Sequence, residues 1–219
     1  MRFAWGWVAV AAYATLLILV TADALHTRPS VVRRDAATST AEQFVEAWER
    51  SRMGTYVASG TFERTSSVTG ARVASKDVVA QLPPRRLHRQ LGGVDGRDDD
   101  RSVFCPVPSA GEIGPSVCRL GEPGGPTFRE SVMTEIAALR AMVTSPGALY
   151  TVAETSAGCF SLKQIRVEPR APFGIRARFC FDPLTGARSA SRVEYGEGIV
   201  EVIVVTSIRA EVQEADLQP

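Results

Sequence analysis

Three patterns of apolar and polar positions run along the chain, and each predicts a different kind of element. The uncharged run from Phe3 to Val20 spans roughly 27 Å as a helix, close to the thickness of a bilayer's hydrocarbon core. Apolar residues at three- and four-residue spacing predict two amphipathic helices, in "STAEQFVEAWERSRM" and "TFRESVMTEIAALRAMV". Alternating segments between and after these helices predict strands joined by turns that contain Gly and Pro. This order predicts an α+β domain with one antiparallel sheet, covered on one side and preceded by one transmembrane helix.

The first 24 residues are interpreted as a signal anchor that stays in the membrane. Trp5 and Trp7, near one end of the apolar run, are typical of an aromatic belt at the membrane surface. The small residues in Ala22–Ala24 also fit a cleavage site, so the alternative is a cleaved signal peptide and a mature chain that starts at Leu25. The predicted organisation is an anchor over 1–24, a linker over 25–39, an extracytoplasmic domain over 40–212 and a tail over 213–219.

Four cysteines indicate that the domain lies outside the cytoplasm. The arginines that follow the apolar run favour the opposite orientation, with the domain inside. Cys159 and Cys180 are placed symmetrically about "EPRAPFG", and both fall on the polar face of their predicted strands. A symmetric hairpin sets them directly opposite each other, at a separation that suits a disulfide. Cys105 and Cys118 are then predicted to close a Pro- and Gly-rich loop. Because disulfides persist in oxidising compartments, we expect an extracytoplasmic domain; four free thiols in a cytosolic protein are the alternative.

Charge and motifs narrow the classes of function. The formal net charge of +1 argues against a nucleic-acid-binding protein, which needs a concentrated basic surface. The sequence contains no nucleophile elbow, P-loop, dinucleotide-binding or zinc-protease motif. Its two histidines, His26 and His88, lie at no metal-ligand spacing. We therefore predict that the protein is not an enzyme and uses no metal or cofactor.

The strongest candidate site is the apolar face that the sheet and the two helices are expected to share. Its predicted members are Phe44, Trp48, Phe62, Ile136, Leu139, Phe160, Leu162, Phe179, Phe181, Val202 and Val204. Two interpretations stay open. These side chains either form an ordinary packed core, or they leave an apolar cavity for an acyl chain or another lipid.

Four segments carry a resemblance to a known family. They are Ala47–Trp48 in the first helix, "YVASGTFER" (Tyr56–Arg64), "QLPPRRL" (Gln81–Leu87) and "FCFDPLTGARSASRVEY" (Phe179–Tyr195). Over roughly residues 40 to 210 the chain resembles the bacterial lipoprotein-carrier superfamily of LolA, LolB, the LppX–LprG glycolipid carriers and the amino-terminal domain of RseB. The resemblance implies an open half-barrel of antiparallel strands over the helices, with a hydrophobic concavity. The chain departs from the lipidated members, since its first cysteine is Cys105 and no acylated cysteine is possible near the amino terminus.

These observations predict a non-enzymatic, single-pass protein of the cell membrane. Its extracytoplasmic domain is expected to bind a lipid or a lipidated ligand such as a lipoprotein. The alternative is a sensor or regulator of the bacterial envelope that resembles RseB and binds a protein partner.

Overall fold

The computed structural model describes residues 38–106 and 118–219. The predicted anchor over 1–24 lies outside these ranges, as do residues 25–37 of the predicted linker and 107–117 of the predicted Cys105–Cys118 loop. Within the two described ranges, no helix is long and apolar enough to cross a membrane. The single-pass topology therefore stays a prediction.

Two α-helices and eleven β-strands make up the described part of the chain. The helices are α1 (Thr40–Met53) and α2 (Phe128–Thr144). The strands are β1 (Tyr56–Ser66), β2 (Arg72–Leu82), β3 (Arg85–Gln90), β4 (Gly93–Asp98), β5 (Arg101–Cys105), β6 (Arg119–Leu120), β7 (Tyr150–Ser156), β8 (Cys159–Gln164), β9 (Arg176–Phe181), β10 (Arg188–Glu194) and β11 (Ile199–Arg209). Short 3-10 helices occupy Gly196–Gly198 and Glu214–Leu217.

Both helices begin at a side-chain cap and bury an apolar stripe, so the two predicted helices are confirmed. Ser39 Oγ accepts a hydrogen bond from the backbone N–H of Glu42 at the start of α1. Thr127 and Glu130 form a reciprocal capping box at the start of α2. The stripe of α1 contains Phe44, Val45 and Ala47, and that of α2 contains Phe128, Val132, Ile136, Leu139 and Val143.

All eleven strands belong to one antiparallel sheet with the order β6-β5-β4-β3-β2-β1-β11-β10-β9-β8-β7. At its centre the first strand, β1, pairs with the last strand, β11. The chain runs outward from β1 to one edge at β6, and α2 lies in the connection to the opposite edge at β7. The predicted α+β architecture, with one antiparallel sheet packed against two helices, is confirmed.

The predicted disulfides are both present. Cys159 in β8 lies directly opposite Cys180 in β9, with a Cα–Cα distance of 4.0 Å. Cys105 at the end of β5 is bonded to Cys118, which immediately precedes β6. The register inferred from the symmetry of the hairpin is therefore correct.

The two faces of the sheet are covered by different parts of the chain. We call the face toward the helices the inner face and the opposite one the outer face. On the inner face, the aromatic and aliphatic residues of β7 to β10 pack against both helices. On the outer face, Leu217 from the last 3-10 helix packs against Val57 and Ala80. Residues 213–219, the predicted tail, thus cover part of the outer face.

The predicted orientation of β11 is wrong. Ile203 pairs directly with the buried Phe62, and directly opposed residues point to the same face. Ile203 therefore points inward, whereas Val202 and Val204 point outward, and Val204 is 48% exposed. Apolar residues follow one another along this strand on both faces, so alternation could not identify the inner one.

Candidate ligand pocket between the helices and the sheet

Most of the predicted apolar site is filled by its own side chains. Phe44, Ile136, Leu139, Phe160, Leu162, Phe179 and Phe181 are all buried within one core cluster. The ring of Phe44 lies 5.6 Å from that of Phe160 and 6.0 Å from that of Phe179, measured between centroids. These distances are typical of directly packed aromatic pairs. Around Phe44 the packed-core interpretation therefore describes the molecule better than a hollow space.

A cavity of about 240 Å³ lies beside this aromatic core. It is bordered by the end of α1, by α2, and by the inner face of β1, β2, β3, β9, β10 and β11. Its lining consists of Trp48, Ser51, Arg52, Tyr56, Ala58, Asp77, Val79, Arg86, Glu135, Phe181, Arg188, Ile203 and Val205. Trp48 and Phe181 are the two members of the predicted site that reach it, so the aromatic core supplies one wall.

A second cavity, also of about 240 Å³, shares Trp48, Arg188 and Ile203 with the first. Phe62 and Phe179 of the predicted site line this second cavity together with polar groups of β3. The two spaces therefore lie on either side of the same three side chains. Their walls combine aromatic surface with charged groups, and these charged groups are not among the predicted site residues.

Hydrogen bonds fix the end of α1 against the sheet and so define the rim of the first cavity. The side-chain amide of Gln81 donates to the carbonyl oxygens of Ser51 and Gly54 at 2.9 and 2.8 Å. The hydroxyl of Tyr56 donates to the same carbonyl of Ser51 at 2.9 Å. These contacts hold Arg52, the next residue of α1, at the cavity.

Arg52 is neutralised by a carboxylate from the other helix. Glu135 of α2 accepts a hydrogen bond from Trp48 Nε1 at 2.7 Å and one from Arg52 Nε at 3.0 Å. One carboxylate therefore joins the indole and the guanidinium of α1. This contact links the two helices above the cavity and fixes the orientation of the Trp48 ring.

A buried polar group occupies the inner face of β2, β3 and β4. Asp77 accepts hydrogen bonds from Gln90 Nε2 and lies 2.8 Å from His88 Nε2. His88 Nδ1 lies 3.5 Å from Asp95. Burial opposes charging of His88, but the hydrogen bonds to the two carboxylates outweigh it, and the pKa of His88 is raised. Burial likewise opposes charging of Asp77, yet the contacts with His88 leave the pKa of that carboxyl lowered.

Arg86 and Arg188 differ from the other charged residues of the pocket. Within residues 38–106 and 118–219, neither guanidinium has an ion pair or a side-chain hydrogen bond, and the buried Nε of Arg86 has no acceptor. Desolvation, followed by the charge of Arg52, lowers the pKa of Arg86 to about 10. Desolvation lowers the pKa of Arg188 as well, against the attraction of Asp77. Both side chains are half-buried at the cavity, and neither has a direct counter-ion in the described part of the chain.

A backbone irregularity directs Arg188 into the pocket. The pairing of β10 with β9 shifts register between Arg188 and Ala190, which inserts one residue into the alternation. Arg188 consequently shares the inner face with Ser191 and Val193, whereas Arg192 is exposed and pairs with Glu194. A strict alternation from Arg192 would have placed Arg188 outside.

The described residues show no arrangement suited to metal binding. No group of three or more His, Cys, Asp or Glu side chains in these ranges could hold a metal ion. The Asp77–His88 pair lies beside the cavities, but no nucleophilic serine, threonine or cysteine is hydrogen-bonded to His88 in the described structure.

The sequence matches no protein-family model and no curated protein. The structure is similar to a chain of the Pseudomonas aeruginosa MucA/MucB complex, with 14% sequence identity and a TM-score of 0.46 over 83% of this chain and 61% of that chain. It is similar to MucB, with 16% identity and a TM-score of 0.40 over 82% of this chain and 62% of that chain. A LolA superfamily protein from Nitrosomonas europaea matches with 6% identity and a TM-score of 0.34, over 83% of this chain and 98% of that chain. The chain thus spans about three-fifths of the length of MucB.

Proposed function

We propose that the described domain is a non-enzymatic ligand-binding module of the bacterial envelope, which holds a lipid or a lipidated ligand between α1 and the sheet. The observation that carries this proposal is the cavity beside Trp48. Its wall combines the apolar surface of Trp48, Phe181 and Ile203 with polar and charged groups. Ligand pockets of proteins commonly have this combination of apolar surface and a few convergent polar groups.

The size of the space limits the part of a ligand that it encloses. Each of the two cavities, about 240 Å³, is smaller than the typical pocket of about 300–1,000 Å³. The combined volume of the two cavities falls within that range. They share Trp48, Arg188 and Ile203; because Glu135 holds the Trp48 ring, joining the two cavities requires Arg188 and Ile203 to move. The ligand is therefore a single short apolar chain, or one segment of a longer lipid.

The two disulfides support an extracytoplasmic location for the domain. Every cysteine of the sequence takes part in one of them, and such bonds persist in oxidising compartments. The uncharged run from Phe3 to Val20 supports attachment to the cell membrane. In this proposal the domain binds its ligand close to the membrane surface and does not carry it across the envelope.

A pair of substitutions on β11 tests whether the cavity binds lipid. Ile203→Trp places a large ring in the cavity, whereas Val204→Trp places the same ring on the exposed outer face of the same strand. The full-length protein is delipidated and titrated with a fluorescent fatty acid. Native mass spectrometry then measures the mass of the protein with and without bound fatty acid. We expect uptake by the wild type and by Val204→Trp, and loss of uptake in Ile203→Trp. Failure of the delipidated wild type to take up any fatty acid removes the proposal.

A second candidate function, binding of a protein partner, is favoured by exposed apolar residues in the connection between β8 and β9. Ile165, Val167 and Ile175 are 53%, 97% and 47% exposed between β8 and β9. Val167 and Ile175 also line a groove of about 490 Å³. A photo-crosslinking residue at Val167 is expected to capture one stoichiometric protein in the native membrane, whereas the same residue at Val68, which is 74% exposed on another turn, is not.

A further inference from the structure

We propose that the pocket recognises an anionic group, a phosphate or a carboxylate, which is held between Arg86 and Arg188. This inference rests on the proposed function, because it specifies the chemistry of the ligand that the same pocket binds. It commits to an amphipathic ligand with its anion at the arginines and its apolar chain along Trp48 and Phe181.

Most charges at the pocket are already satisfied within the protein. Glu135 accepts hydrogen bonds from Arg52, and the side-chain distance of this ion pair is 2.9 Å. Asp77 lies within hydrogen-bond distance of both His88 and Gln90, at 2.8 Å from each. Both carboxylates of the cavity wall, Glu135 and Asp77, therefore already have partners within the protein. They leave Arg86 and Arg188 as the cations of this wall that lack a direct partner in the described structure.

Arg86 and Arg188 reach the cavity from two different parts of the sheet. Arg86 lies in β3 and Arg188 in β10, and three strands, β2, β1 and β11, separate them in the sheet. Both nevertheless line the same cavity. An anion in that cavity lies between two guanidinium groups, each of which offers donors in a planar fork that matches phosphate or carboxylate oxygens.

The unliganded pocket carries an electrostatic cost that an anion relieves. Burial disfavours the charged form of each guanidinium, and the nearby charge of Arg52 adds repulsion at both. A buried cation without a partner destabilises a protein, whereas a buried cation with a hydrogen-bonded anion does not carry the same cost. A purely structural arginine is expected to have its counter-ion within the fold, as Arg85 has with Glu214 at 2.6 Å.

The apolar wall indicates that the anion is part of a larger molecule. Trp48, Phe181 and Ile203 line the cavity together with the two arginines. A free phosphate leaves this surface in contact with water, whereas an attached alkyl chain covers it. The shared chemistry is therefore an anionic head with a short apolar chain, and the source is either a membrane lipid or a smaller amphipathic anion.

Four soluble probes separate the contributions of head and chain. They are n-octyl phosphate, n-octanoate, n-octanol and inorganic phosphate, titrated calorimetrically into the delipidated full-length protein. We expect the octyl anions to bind about 10- to 100-fold more tightly than octanol, the range for hydrogen bonds to a charged group. Inorganic phosphate is expected to bind more weakly than octyl phosphate because it covers no apolar surface.

The variants Arg86→Gln and Arg188→Gln test the assignment of the head group. Each is expected to weaken octyl phosphate by about 10- to 100-fold and to leave octanol unchanged. Arg85→Gln is the matched control, because Arg85 is the neighbour of Arg86 in β3 and pairs with Glu214 on the other face. The thermal unfolding midpoint of each unliganded variant distinguishes binding from structure. Loss of an unpaired cation is expected to leave it unchanged or raised.

The outcomes distinguish this inference from the proposed function. Equal affinities for octanol and octyl phosphate, unchanged in Arg86→Gln and Arg188→Gln, overturn the anion site and leave lipid binding intact. Binding of inorganic phosphate that both variants abolish, without any binding of octanol, supports the anion site and removes the apolar ligand. A large fall in the unfolding midpoint of both unliganded variants assigns the arginines a structural role and overturns the inference. Absence of binding by all four probes overturns both proposals.

Discussion

The substitution Phe44→Ala tests whether the aromatic region between the helices and β8 to β9 is a packed core. Phe44 has no exposed surface, and its ring contacts those of Trp48, Phe160 and Phe179 at centroid distances of 5.7, 5.6 and 6.0 Å. Truncation to alanine removes a buried ring and leaves a cavity between four neighbouring aromatic side chains, the fourth of which is Phe181. Such substitutions cost about 3–5 kcal/mol in the free energy of unfolding.

This magnitude is large relative to the stability of an ordinary domain, which is about 5–15 kcal/mol. For a domain of this size we expect the unfolding midpoint to fall by about 10 °C. Urea unfolding followed by far-UV circular dichroism measures the free energy directly. Phe44→Leu keeps most of the volume and is expected to cost about 1–2 kcal/mol. Met133→Ala, at a residue 48% exposed on α2, is expected to cost less than about 0.5 kcal/mol.

A loss below about 1 kcal/mol for Phe44→Ala would refute this reasoning. It would mean that the rings around Phe44 gain little from contact with it. The region would then contain space that the packed structure does not have. The alternative predicted from the sequence, an apolar cavity lined by these residues, would then describe the region better.

Three further substitutions test other parts of the molecule. Replacing Cys159 and Cys180 together by serine is expected to cost about 3 kcal/mol in the free energy of unfolding, because the disulfide closes a loop with a sequence separation of 21. An equal unfolding midpoint of the wild type with and without reductant would contradict this expectation. His88→Gln is expected to destabilise the protein more at about pH 6 than at about pH 9. The raised pKa of His88 gives a stabilisation that is complete below about pH 6.5 and is lost as the pH rises through the raised pKa. An equal loss of unfolding free energy at both pH values in urea unfolding would exclude this stabilising role of the charged His88. Gly60→Ala places a Cβ 2.1 Å from the carbonyl oxygen of Val204 and is expected to cost more than about 2 kcal/mol, whereas Gly196→Ala meets no atom within 4 Å and is expected to cost less than about 0.5 kcal/mol in the same assay.

Local patterns were sufficient to predict the elements and the hairpin around the disulfide. The spacing of Ile136 and Leu139 reflects contacts within a few residues of α2, which the sequence displays directly. The turn "DPLTG" is also local: Asp182 Oδ1 accepts hydrogen bonds from the backbone N–H and the hydroxyl of Thr185, at 2.8 and 2.7 Å. Cys159 and Cys180 were predicted as a pair because a hairpin's register follows from its turn.

The polar side of the pocket was not predicted because the outer face of β2 and β3 is covered. In "RRLHRQL" the single buried apolar residue is Leu87, which points to the outer face, while Arg86 and His88 point inward. The usual expectation that an apolar side chain points toward the helices therefore gives the wrong face. The covering segment includes Leu217, more than a hundred residues away in the sequence, and no local pattern in β3 reveals it.

The two cross-links lie in the outer parts of the strand order, one at β5 and β6 and the other at β8 and β9. Between them, the six strands from β4 to β10 by way of β1 and β11 are held by hydrogen bonds and packing alone. Reduction of both bonds would loosen the two flanks before the centre. The middle of the sheet, which carries the cavity beside Trp48, therefore contains no covalent cross-link.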